Sequence, residues 1–104
     1  MSDPVVVIAV FRPVAGKLTE LREALVATIP GVHGEDGCEL YAIHDGPDDT
    51  IYMIEKWSSV AELDAHGDGE AVKALQRATA GLSTGVEVLR MFPIPAGTPE
   101  QGTL

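Results

Sequence analysis

The hydrophobic pattern of the chain opens with a run that does not alternate. Val5-Val6-Val7-Ile8-Ala9-Val10-Phe11 is apolar at every position and rich in β-branched residues. A strand with water on one face alternates, so this run predicts a strand covered on both faces. Arg12-Pro13-Val14-Ala15-Gly16 breaks it. From Lys17, apolar residues recur at helical spacing as Leu18, Leu21, Leu25 and Ile29, with Ala24 and Thr28 beside them. Glu20, Arg22 and Glu23 fall largely outside that stripe, which predicts an amphipathic helix stopped by Pro30-Gly31.

Cys38 to His44 and Thr50 to Trp57 read as strands, folded into a hairpin by the turn formers Asp45-Gly46-Pro47-Asp48-Asp49. Ser58-Ser59 offers N-caps for a short helix, and Glu62 is spaced to complete a capping box from Ser59 before Gly67-Asp68-Gly69 interrupts it. A further helical segment runs from about Glu70 to Ala80, with Val72, Leu75, Ala78 and Leu82 on one stripe and Gly81 as its stop. Thr84 to Phe92 alternates Val86, Val88, Arg90 and Phe92 against Glu87, Leu89 and Met91, as a last strand. From Pro93 onward Pro and Gly recur, and residues 94–104 are expected to form an irregular tail or docking arm.

The order is β-α-β-β-α-β. It predicts an α+β, ferredoxin-like split arrangement with an antiparallel sheet, in a single domain over residues 1–93. Helices of this length cover one face of such a sheet, yet the first strand is apolar on both faces and the last nearly so. An uncovered apolar face of that size is unusual on a monomer. The simplest cover is a second copy related by a two-fold axis, so a homodimer is expected.

Composition narrows the partners. Seven basic residues against sixteen acidic ones leave a formal charge of −9, which repels phosphate backbones and anionic membranes. Cys38 is the single cysteine, so an internal disulfide and a thiolate metal cluster are excluded. The apolar run from Pro4 to Phe11 is too short to cross a bilayer, and Met-Ser-Asp before it is a poor signal-peptide start. A cytoplasmic protein is the expectation.

The succession Gly37-Cys38 at a strand start, Glu55-Lys56-Trp57 at a strand end and Leu63-Asp64-Ala65-His66 on the helix that follows resembles the antibiotic-biosynthesis-type monooxygenase (ABM) domain family, quinol monooxygenase-like members included. The resemblance runs from about Val5 to Phe92. It implies a dimeric α+β barrel and an oxygenase working without flavin, haem or metal. It also places Trp57 beside a cavity and suggests a structural role for Glu55 at the subunit junction.

Residue chemistry supplies candidates within that frame. The Trp57 indole can stack on a planar substrate and donate a hydrogen bond, or serve simply as core. His66 can take a proton from a phenol or hydroquinone, or can cap the helix C-terminus. Tyr41 and Tyr52 can hold a substrate oxygen or be cross-strand packing residues. Arg12 and Arg90 can stabilise an enolate or phenolate, or pair with the abundant carboxylates. Glu55 reads as paired with a basic neighbour or exposed at the edge. Phe11 completes the set expected at the substrate. His33 and His44 read as surface or loop-end residues, Cys38 as a small buried hydrophobe, and no pair of His residues has metal-ligand spacing.

The function expected is a cofactor-independent monooxygenase oxidising a quinol or polyketide-like aromatic with dioxygen. The alternatives are a non-catalytic small-ligand-binding or stress-related dimeric barrel and a proton-transfer isomerase or cyclase on the same fold. Haem degradation is a further branch, with Trp57 and His66 in the places of its Trp and axial His. That branch also uses an Asn on the first strand, and this chain contains no Asn.

Overall fold

The structure, a computed structural model, describes residues 3–104; the first two residues of the expected domain lie outside the described residues. The elements are β1 (Val5–Pro13), α1 (Leu18–His33), β2 (Cys38–Asp45), β3 (Ile51–Trp57), α2 (Val60–Gly67), α3 (Glu70–Thr79) and β4 (Ser83–Met91). They form a ferredoxin-like α+β fold whose four-stranded antiparallel sheet has the order β2-β3-β1-β4. The apolar run of β1, Val5 to Phe11, therefore lies inside the sheet, paired on both edges, which is where a non-alternating run belongs.

Register determines which side chains share a face. Tyr41, Glu55, Val7 and Arg90 form one row across the sheet, and Ile43, Met53, Ala9 and Val88 form the next. These rows face the helices. Against them α1 sets Leu21, Leu25, Ile29 and Val32, all buried, and α3 sets Leu75. The opposite face carries the rows Ala42-Ile54-Ile8-Leu89 and Leu40-Lys56-Val6-Met91. Among the described residues no helix lies over it, and Leu89 is 64% exposed.

One boundary differs from the sequence reading. Pro30-Gly31 does not stop α1, which continues to His33. Pro30 forfeits its bond to the carbonyl of Val26, but both residues are on the water-facing side, where solvent can satisfy that oxygen. Burial of Ile29 and Val32 holds the last turn in place. At Gly31 α1 lies close to α3: a Cβ there would meet Ala71 at an ordinary contact distance of 3.9 Å.

The hairpin turn is tighter than a plain loop. Pro47–Asp49 forms a single 3-10 turn, with Asp48 and Asp49 both at φ 56°. Asp tolerates the left-handed region better than most residues. Residues beyond Phe92 contain no strand or helix. Among the described residues no helix is long and apolar enough to cross a membrane.

Candidate active site

The site begins at the start of α2. Ser59 is its N-cap: the hydroxyl accepts from the Glu62 amide at 3.1 Å and donates to the Glu62 carboxylate at 3.0 Å. Ser58 also donates to Glu62. This N-cap, with Glu62 accepting from the serine hydroxyls and not from the Ser59 amide as in a full capping box, fixes the phase of the helix. Leu63 and His66, three residues apart, are both buried.

His66 is held on several sides. Its Nδ1 lies 2.6 Å from Oε1 of Glu35, in the loop after α1. The ring lies on Trp57 with centroids 4.5 Å apart and planes tilted by 32°, and Tyr41 meets it edge-on at 5.4 Å. Glu35 accepting from Nδ1–H leaves Nε2 as the available acceptor nitrogen. Nε2 has no partner among the described residues, nor is it sealed from accessible space. The carboxylate thus sets the tautomer and the orientation of the ring.

Trp57 is fully buried at the end of β3 and donates from Nε1 to Oε1 of Glu55 at 2.9 Å. It backs the His66 ring and does not itself line the adjoining cavity. Glu55 does line it, and is 5% exposed. Edge exposure or pairing with a basic neighbour, expected from sequence, is not what the structure shows. Burial pushes the Glu55 carboxyl above the usual carboxylate range, against the opposing pull of the Trp57 hydrogen bond and the His66 charge. Burial likewise pushes the Tyr41 phenol far up, so Tyr41 stays a proton donor. The Cys38 thiol rises through burial and the nearby Glu35 carboxylate, which keeps it from being a thiolate nucleophile.

The cavity has a volume of about 310 Å³ and lies between the inner sheet face and helices α2 and α3. Val7, Phe11, Leu75, Val86 and Val88 give it apolar walls, and Tyr41, Glu55, His66 and Arg90 supply the polar groups. Small-molecule pockets run from roughly 300 to 1,000 Å³, so this one suits one or two fused rings. Arg90 is tied to Asp64 at 2.8 Å.

Of the residues singled out from sequence, His66, Tyr41, Arg90 and Phe11 thus meet at one cavity, with Trp57 directly behind. Arg12 and Tyr52 lie elsewhere. Both line a separate cleft of about 630 Å³ beside the hairpin turn, walled by Pro47, Asp48, Asp49 and Thr84. Arg12 there pairs with Glu87 at 2.7 Å. That cleft is the larger, yet it contains no buried titratable group and no stacked aromatic pair. His33 bonds the Tyr41 carbonyl at 3.0 Å, and His44 is exposed. Among the described residues no group of three His, Cys, Asp or Glu side chains is placed to hold a metal ion.

Comparison with known proteins gives the arrangement its relatives. The family model for antibiotic biosynthesis monooxygenases matches residues 4–78. The chain belongs to that family. Over 67 residues it is 36% identical to a Mycobacterium tuberculosis protein named "Putative monooxygenase Rv0793", a stretch covering 64% of this chain and 66% of the relative. The chain therefore spans just under two thirds of that relative's length in the alignment. The solved structure of Rv0793 superposes with a TM-score of 0.80 at 29% identity, covering 91% of this chain and 99% of that one. The crystal structure of PA3566 from Pseudomonas aeruginosa superposes with a TM-score of 0.81 at 27% identity, over 90% of this chain and 97% of the other. These matches establish an ABM-family fold and leave the substrate to the geometry of the cavity.

Proposed function

We propose that this ABM-family protein is a cofactor-independent monooxygenase that oxidises a small hydroquinone-like aromatic with dioxygen and works as a homodimer. The observation that carries the reading is the Glu35–His66 pair at 2.6 Å, on a histidine that lines an apolar cavity. His66 Nε2 takes the substrate's hydroxyl proton, and Glu35 stabilises the imidazolium so formed. The resulting anion is electron-rich enough to reduce dioxygen directly. A hydroquinone and one dioxygen give a hydroxyquinone and one water: one oxygen atom enters the ring, the other leaves as water, and the substrate supplies all the electrons. The protein's part is to deprotonate, orient and keep water away. Phe11 and the valines form the walls, Tyr41 donates to a ring oxygen, and Arg90 at the mouth adds positive charge for the anion.

The homodimer reading is supported by the open sheet face. Its row Ala42-Ile54-Ile8-Leu89 is apolar from edge to edge, and a second copy would cover it. Oxygen uptake with a panel of hydroquinones tests the activity. Uptake above the chemical background, lost in His66→Ala, is the expected result. No uptake with any of them, in a protein that still binds them, would assign a binding role instead.

A further inference from the structure

Glu55 is the one buried acid whose environment the reading above leaves unused. One of its oxygens accepts the Trp57 indole N–H at 2.9 Å. The other has no partner among the described residues, and it is not sealed from accessible space. Glu55 is 5% exposed and lines the cavity, which is the accessible space its side chain borders. Trp57 thereby fixes which oxygen is the acceptor and which can carry a proton.

We propose that Glu55 is a neutral carboxylic acid whose free O–H donates a hydrogen bond to the oxyanion of the bound substrate, making it a further catalytic residue. This rests on the function proposed above and specifies its ligand: an aromatic with one ionisable hydroxyl for His66 and an oxygen, anionic or carbonyl, for Glu55. The proton balance is simple. The substrate O–H bond breaks, an N–H bond forms on His66, and Glu55 keeps its own proton throughout. An ionised Glu55 would repel the same anion, so binding requires the acid form. Burial favours that form. The charged and titratable groups around it are Tyr41 and Cys38 from β2, Glu35 from the loop before β2, His66 from α2 and Arg90 from β4. β1 presents the apolar Val7 in the same row.

Infrared spectroscopy of the unliganded protein at neutral pH tests the protonation state. The expected result is a protonated carboxylic-acid stretch that Glu55→Gln removes and Glu35→Gln leaves, and that the wild-type protein loses on alkaline titration. Absence of that band overturns the proposal. Binding of para-nitrophenolate, followed by its visible absorbance, tests the donor role. Wild-type affinity should fall at alkaline pH as Glu55 ionises. Glu55→Gln keeps a donor, so it should bind within about threefold of wild type with the alkaline limb gone, while Glu55→Leu should bind at least about tenfold more weakly. A purely structural Glu55, needed only to hold Trp57, gives no alkaline limb, and that outcome overturns the proposal, as does failure of wild type to bind the probe. Failure of oxygen uptake with the acid band present would sink the monooxygenase reading alone.

Discussion

Trp57→Phe is the substitution that most directly interrogates the site. Trp57 is completely buried, and its indole N–H is the one donor to Oε1 of Glu55. Phe keeps a ring against His66 but leaves that oxygen without a donor, a cost of about 1–3 kcal/mol. The smaller ring adds about 1 kcal/mol, scaled from roughly 3–5 kcal/mol for complete truncation of a buried aromatic to Ala. A total of about 2–4 kcal/mol corresponds to a fall in Tm of roughly 10–25 °C for a domain of this size. The loss should also depend on pH. Glu55 has a folded-state pKa above the ordinary value of 4.5, so stability from its protonated form is full below that value and is lost as pH rises through the raised one. Trp57 supports the carboxylate more than the acid, so removing it should cost more at about pH 8 than at about pH 5. Urea unfolding at both pH values measures this. An equal loss at both, or a loss under about 1 kcal/mol, would refute the account of the Trp57–Glu55 bond.

Other outcomes follow from other parts of the fold. Leu89→Lys places a charge in the apolar outer row and should turn the proposed dimer into a monomer by light scattering; a dimer that persists counts against the proposed interface. Ser59→Ala removes the α2 cap and should lower stability by about 1 kcal/mol in denaturant titration. Ultraviolet titration of Tyr41→Phe against wild type should show no difference in phenolate absorbance until the alkaline protein unfolds, because the Tyr41 phenol is pushed far above its ordinary range.

Much of the architecture was legible because its signals are local. The non-alternating run of β1, the turn formers after Asp45 and the Ser59–Glu62 cap all act within a few residues, and each element lies within a residue or two of its expected place, apart from the end of α1. That end depended on tertiary burial of Ile29 and Val32, which outweighed the local stop signal at Pro30-Gly31. Glu55 was misjudged for a readable reason. Ile51, Met53, Glu55 and Trp57 are alternate residues of one strand, so a charge between buried Met53 and Trp57 had to point inward. Glu35 carried no such signal: it meets His66 from a loop 31 residues away, a contact that only the folded chain reveals. The same parity rule separates Tyr52 and Arg12 from the cavity, since each alternates with residues that face it.

The strand order has a consequence for how the chain matures on the ribosome. β1 emerges first, yet its second neighbour is β4, the final regular element made. Val86, Val88 and Arg90, which close one side of the chamber, arrive only then. A nascent chain halted near Ala80 would hold His66 and its aromatic neighbours with one wall missing. The enclosure is therefore finished in a single late docking event, and β4, whose residues are largely exposed, should also be the strand whose amides exchange first.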